Sequence, residues 1–348
     1  MKNIHKILIV VLFLISTAVA GNEIYKVVHS FTAEYPDNNI NGYVAWGAGG
    51  PTDTVSRALS VYAAKELGTN IIIQNKTGAS GSVATEFVHR QDHNGYSILF
   101  NSENPPLYKV MDISNVDYND YYPVIVVGQQ IAVMVVSKDS KYNTVEELFE
   151  DAWASPGKIT LATTGAGGLT QNVAAMMLAR SKVEFNQVPY DGDSGVLTAI
   201  IGGNADVTIV NYSSAVDYIA DGSIKVLTSF SSERLPSSPK TPCITESYPE
   251  YGDYFPWGTF VGVFVDKESS DDVKETLSKA FRKGWESEGF QKFLAENYIT
   301  PLGICGDEAS EYITKWQQVT TWFLYDAGQT VYSPEDCGIP RLGTETEE

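Results

Sequence analysis

Residues 44–59 read VAWGAGGPTDTVSRAL. An apolar stretch runs into three glycines within four residues, Gly47, Gly49 and Gly50, and then into Pro51, Thr52 and Asp53. Val55, Ala58 and Leu59 follow at helical spacing. The pattern predicts a strand, a tight turn and a helix N-terminus. Outward from this turn the alternation continues. Strands are predicted at 42–46, 70–74 and 97–101, with helices at 53–67 and 82–90 between them. This βαβαβ order favours a mostly parallel sheet covered by helices, the doubly wound α/β class. Further strands are expected at 124–127 and 132–137, and a helix at 144–154.

The opening device then recurs. A strand at 158–163 leads into Thr164-Gly165-Ala166-Gly167-Gly168, and a helix is expected over 169–180. Strands at 185–188, 207–210 and 226–229 and a helix at 194–201 complete a second α/β half. Residues 232–258, rich in Pro, Ser, Tyr and Gly, read as a long connection. A strand at 259–265 and helices at 270–286 and 308–324 follow. After Gly328 the tail reads as an irregular extension.

Glycine turns that open helices have a chemical use. The first N–H groups of a helix lack partners inside it, and the helix dipole places partial positive charge there. Glycine lets the backbone approach a ligand closely. An anion site built this way needs no Lys or Arg. Three turns share the device: Gly47–Asp53, Gly78-Ala79-Ser80-Gly81-Ser82 and the turn at 163–170. All fall at the carboxyl ends of strands, where open α/β sheets bind ligands. A phosphate or a carboxylate would suit them equally. The turns lack the lysine of a phosphate-binding loop, and GAGGPT is not a dinucleotide fingerprint, so a nucleotide is disfavoured.

Composition narrows the field. The chain has 348 residues, 43% hydrophobic and 19% charged, enough for two domains with ordinary cores. Its formal charge of −19 is the reverse of a nucleic-acid binder's, so no nucleic-acid partner is expected. Lys2 and Lys6, an apolar run over 7–15 and a terminal Ala18-Val19-Ala20 read as a signal peptide over 1–20, cleaved near Ala20-Gly21. Its removal takes the charge from −19 to −21, since it carries those two lysines and no acid. The mature protein is expected to be exported and soluble. Among Cys243, Cys305 and Cys337, a Cys305–Cys337 disulfide is the pairing expected if one forms.

No catalytic residue, cofactor or metal site is expected. His89 and His93 stand at i, i+4, as metal ligands can. No third ligand is evident near them in sequence, and HRQDHNG reads as a solvated helix end. Ser80 and Ser194 show no His–Asp partners, and no hydrolase, metalloprotease or kinase signature occurs.

Several stretches in order carry a resemblance: WGAGGPTDTVSRAL, IIIQNKTGASGSVATEFV, NGYSILF, TTGAGGLTQNVAAMMLA, VPYDGDSGVLTAIIGGNADV and SSERLPSSPKTPCITESYPEY, followed by Trp257-Gly258. Over roughly residues 40–325 the chain resembles the extracytoplasmic solute receptors of the tripartite tricarboxylate transporters, the Bug receptors. The resemblance implies a periplasmic-binding-protein fold of the Venus-flytrap kind. Two α/β domains, about 22–128 plus 247–348 and about 129–246, would close on a small organic carboxylate, most simply a di- or tricarboxylate. It also implies a monomeric receptor that delivers its ligand to membrane permease subunits. The rivals are a module signalling to a membrane sensor, an enzyme acting on a small carboxylic acid and an adhesion protein.

The ligand is expected at Trp46, Gly47, Ala48, Gly49, Gly50, Thr52 and Asp53, and at Gly78, Ser80, Gly81 and Ser102. From the second domain Thr164, Gly165, Gly167, Thr170 and Asn211 should meet it. Asp53 is read as helix cap and support first. Trp46 is read as a wall over the ligand in preference to core. Three places depart from the family's usual pattern: Ala45-Trp46, Ala199 and the strand end Asn101-Ser102-Glu103-Asn104. Glu103 would repel a carboxylate unless it points away or binds a ligand hydroxyl or amine.

Overall fold

The computed structural model describes residues 35–164, 168–190 and 192–342. The signal peptide and the last six residues lie outside these, as do Gly165 and Gly167.

Two sheets organise the chain. The first contains β1 (Ile40–Val44), β2 (Ile71–Asn75), β3 (Ser97–Ser102), β4 (Tyr121–Gln130), β10 (Thr259–Asp266) and β11 (Thr300–Ile304), in the order β11-β4-β10-β3-β1-β2. The second contains β5 (Ala132–Ser137), β6 (Thr160–Thr163), β7 (Asn186–Pro189), β8 (Val207–Asn211) and β9 (Ile224–Ser229), in the order β7-β6-β8-β5-β9. The parallel triplet is wound alike in both. β1 pairs in parallel with β2 on one side and β3 on the other, and β6 does the same with β7 and β8. The remaining strands are antiparallel additions.

Helices fill the crossovers, as parallel pairing requires. α1 (Pro51–Leu67) and α2 (Ser82–His89) serve the first sheet; α4 (Leu169–Ser181) and α5 (Gly192–Ile201) serve the second. α3 (Val145–Ala154) follows β5, and α6 (Tyr212–Ala220) follows β8. The chain passes from sheet to sheet through Ile131 alone, between β4 and β5. It returns through 230–258, which holds the short helix α7 (Ile244–Ser247) and a 3₁₀ stretch at Pro249–Tyr254. α8 (Asp271–Glu286), α9 (Glu288–Glu296) and α10 (Gly306–Asp326) complete the chain. The tail after Gly328 is irregular yet anchored: the Val331 and Tyr332 N–H groups donate to the Val110 carbonyl, and Ile339 is buried.

Strand composition explains the layers. The central strands are apolar on both faces, as in Val133–Val136 and Val124–Val127, because helices cover both sides. α1 and α8 pack closely at Gly284, where a Cβ would lie 2.9 Å from the Ala63 nitrogen. No described helix is long and apolar enough to cross a membrane.

Candidate functional site

Strand register places the site. β1 and β3 pair with Val44 opposite Phe100, so their carboxyl ends emerge side by side at Trp46 and Ser102. From β1 the chain winds outward to β2, whereas β3 lies on the other flank, so this end of the sheet is a switch point. The second sheet repeats the arrangement at Thr164 and Asn211, beyond β6 and β8. The two switch points face a shared cleft of about 560 Å³.

The opening turn forms one wall. Trp46, Gly47, Ala48, Gly50 and Thr52 line the cleft. Helix α1 starts at Pro51, two residues before the expected start, because proline suits a first helical position where the N–H would be unpaired anyway. Thr52 and Asp53 therefore carry first-turn N–H groups for which the helix has no carbonyl. Gly49 and Asp53 do not line the cleft. The Gly49 N–H donates to Asp53 Oδ2 at 2.9 Å, so each occupies the other. Asp53 is 3% exposed and also accepts from Arg57 Nε at 2.9 Å and Asn75 Nδ2 at 2.7 Å. Burial pushes its carboxyl up, but Arg57, the Gly49 N–H and Asn75 outweigh this and hold it below the ordinary range. Asp53 braces the turn.

The second turn contributes one residue. Ser80 lines the cleft, whereas Gly78 and Gly81 do not. Ala79 and Ser80 both have positive φ, 45° and 53°, an uncommon state for residues with a side chain. The turn is held by Tyr108, whose hydroxyl donates to the Ser80 carbonyl at 2.8 Å. Gly81, at φ 89°, lies beneath: a Cβ there would come within 3.1 Å of Asn101 Oδ1 and the Tyr108 oxygen. Gly81 supports the turn from below.

The end of β3 is richer than its sequence implied. Asn101 is fully buried. Its Oδ1 accepts from Trp46 Nε1 at 2.9 Å and from the Ser102 N–H at 2.8 Å, and its Nδ2 donates to Thr85 Oγ1 at 3.1 Å. These bonds fix the Trp46 ring as a cleft wall. Ser102, Glu103 and Asn104 also line the cleft, and the Ser102 hydroxyl donates to Asn104 Oδ1 at 3.0 Å. Glu103 borders the cleft, with its carboxyl buried beside the Phe260 N–H, Tyr118 and Tyr312. Its Oε2 is buried with no hydrogen-bond partner. Burial pushes its carboxyl up to about 7, partly opposed by the Glu103 and Phe260 N–H groups and the Ser102 hydroxyl.

From the second lobe Thr164, Gly168, Leu169, Asp193 and Asn211 reach the cleft. Thr170 does not. It is fully buried, and its hydroxyl donates to the Ile209 carbonyl at 2.9 Å, joining α4 to β8. Asn211 Oδ1 accepts from the Thr259 hydroxyl at 3.3 Å, linking the lobes at the cleft floor. Asp193 accepts from the Ser214 hydroxyl. Val127, Gly128, Gln130, Phe260, Val261 and Ile299 form the remaining floor. Sequence reading missed these, since they come from antiparallel strands and one loop without a glycine-turn signal. Among the described lining residues none is Lys, Arg or His.

Two further expectations change. His89 and His93 do have partners, brought from the far end of β10. The His89 Nδ1–H donates to Asp266 Oδ2 at 2.7 Å. His93 donates through Nε2 to the His89 carbonyl and through Nδ1 to Glu268 Oε2, both at 2.9 Å. Asp266 is the third partner that the sequence did not show, and the ligand atoms of His89, His93 and Asp266 lie within 4.8 Å of one another. The polar stretch is a tie between α2 and β10, and it is more than a solvated helix end. All three cysteines are free thiols, so the Cys305–Cys337 pairing is not formed. Cys305 caps α10 and its thiol donates to the Gly303 carbonyl, whereas Cys337 lies in the tail.

Two sheets wound alike, with a cleft across both switch points, define a two-lobed solute-binding protein. The chain belongs to the tripartite tricarboxylate transporter receptor family, whose profile matches residues 55–319. It is 25% identical over 300 residues to the protein BugT of Bordetella pertussis, covering 83% of this chain and 88% of that one. Its fold is that of a TctC solute-binding protein from Polaromonas, with a TM-score of 0.72 and 23% identity over 85% of this chain and 98% of that one. It is also that of the R. palustris protein Rpa4515, solved with adipate, with a TM-score of 0.70 and 20% identity over 84% and 98%.

Proposed function

We propose that this receptor captures a small organic carboxylate, most simply a di- or tricarboxylate, in the cleft and hands it to the permease subunits of a tripartite tricarboxylate transporter. The observation that carries the reading is the cleft itself. Helix N-termini and hydroxyls from both lobes converge on it, and no described lining residue is a cation. Backbone N–H groups and the N-terminus of α1 would hold one carboxylate. Neutral donors avoid the desolvation cost of burying a basic side chain and suit rapid release. The segment Thr164–Leu169 would hold the far end of the ligand, so a molecule acidic at both ends would bridge the lobes. The adipate carried by the R. palustris relative supports this class of ligand.

The reading includes an exported, monomeric protein, with a signal peptide over 1–20. Its closing units are about 22–128 plus 247–348 and about 129–246, and it works as a receptor without catalysis. A thermal-shift screen against di- and tricarboxylates, hydroxy acids and aromatic acids tests it. A ligand at 100 times its dissociation constant should stabilise the protein by about 2.7 kcal/mol. Thr52→Ala should weaken the best acid by roughly 1 kcal/mol, a lost hydrogen bond. No shift with any acid, in protein freed of carried-over ligand, would count against the carboxylate reading.

A further inference from the structure

The end of the first sheet opposite the cleft holds a second cluster of polar side chains, which solute capture does not use. We propose that His89, His93 and Asp266 bind one divalent transition-metal ion of the zinc type, which pins the end of α2 to the end of β10. The inference is independent of the carboxylate reading above.

Topology brings the three together. β10 runs antiparallel to β3, so Thr259 stands at the cleft and Asp266 closes the strand at its other end, about 20 Å away. α2 starts beside the cleft turn at Ser82 and ends at His89. His93 follows four residues on, with its ring stacked on that of His89, centroids 5.9 Å apart.

The spacing of the donor atoms suits an ion. The ligand atoms of the three residues lie within 4.8 Å of one another. Tetrahedral zinc, with bonds of about 2.1 Å, sets its ligands about 3.4 Å apart. His93 Nδ1 and Asp266 Oδ1 are 3.4 Å apart, and His89 Nδ1 and Asp266 Oδ2 are 2.7 Å apart, so small side-chain shifts complete the set. Glu268 Oε2, 2.9 Å from His93 Nδ1 on an exposed side chain, offers a fourth donor.

The surroundings also fit. The His93 Nε2–H is held by the His89 carbonyl at 2.9 Å, the kind of backbone bond that orients a metal-bound histidine and turns its other nitrogen to the ion. Asp266 is buried, and its Oδ1 accepts from the Glu268 N–H at 2.9 Å, which fixes the carboxylate. Among the described residues no lysine or arginine pairs with it. Lys267 turns to the Asn119 carbonyl and Asp120, and Arg90 turns to Glu86. Two imidazoles with carboxylates favour zinc over calcium and magnesium, which want oxygen ligands alone. The His89 and His93 side chains are 34% and 27% exposed, so an ion can enter from solvent. Without the ion, protons hold the same groups together through the hydrogen bonds already described.

Calorimetric titration of zinc chloride into the mature protein tests this, with the protein made without a histidine tag and stripped with a chelator. The expected result is one zinc per chain and a raised midpoint of thermal unfolding, since the ion binds the folded state. Affinity for the best acid of the thermal screen should not change. His89→Gln, at a partly exposed position, should weaken zinc by about 100-fold and abolish the thermal shift. Asp266→Asn should do the same. Cobalt(II) supplies a readout that does not depend on stability: the native protein should show the visible absorption of a four-coordinate ion, and His89→Gln should lack it. Absence of zinc binding would overturn the proposal and leave the cluster a tie made by protons. Equal binding by native and His89→Gln protein would also overturn it, by placing the ion on surface acids. Neither result touches the carboxylate reading, which the acid screen tests separately.

Discussion

Asn101 and Glu103 stand two residues apart at the end of one strand, and they show what a residue can and cannot announce. Both were visible as polar residues closing an apolar run. The hydrogen bond from Trp46 Nε1 to Asn101 spans 55 positions in the chain, and nothing in local spacing encodes it. Trp46, at its strand end, both lines the cleft and packs against the apolar cores beneath it. The orphaned Oε2 of Glu103 was not, because it depends on how β10 and Tyr312 close around it. Its raised carboxyl makes a prediction free of any ligand. A group whose folded value lies above its unfolded one binds a proton on folding. Its effect on stability is therefore smallest below about 4.5, and stability is lost as pH rises toward about 7. Glu103→Gln should raise the midpoint of thermal unfolding at about pH 8, by an amount corresponding to roughly 1–3 kcal/mol, and the gain should vanish near pH 4. An equal gain at both pH values would contradict the assignment.

At the scale of elements, the strands and helices that periodicity marks were found where expected, and those missed have identifiable causes. β11 contains Pro301 and Gly303, which argue against a strand; it is tolerated because β11 is an edge of its sheet. α9 follows α8 after Ser287 alone and has Gly289 at its second position, and α6 opens with Tyr212-Ser213-Ser214, so neither start is marked although both helices carry an apolar face. The His89–His93 stretch was legible as polar, but its tie to Asp266 joins residues 177 apart. That tie has a pH signature. The His89 carbonyl, together with Asp266 and Glu268, holds the His93 imidazolium above the usual histidine value against the opposing effect of burial. A raised folded value means that the stabilisation is fully present below about 6.5 and is lost as pH rises through the folded value. In native protein compared with His93→Gln, the difference in unfolding midpoint should shrink as pH rises from about 6 to about 8.5. A constant difference would show that the contact does not depend on the proton.

The whole molecule was legible as two α/β halves because its decisive signals are local. Glycine turns between apolar runs and helices appear in both halves, and those at Gly47–Asp53 and 163–170 lie at the switch points. What sequence could not supply was the floor of the cleft, where β4 and β10 meet the second lobe. There Ile131 carries the chain across in a single residue, and Thr259 reaches Asn211. Both stand at the cleft end of their strands. The central claim is that one small acid bridges both lobes through helix N-termini. Its most direct test is a crystal structure of the mature protein with the acid that stabilises it most in the thermal screen. The account expects that acid in the cleft, one carboxylate against Gly47–Thr52 and its other end against Thr164–Leu169. An acid bound away from the cleft, or held by one lobe alone, would contradict it.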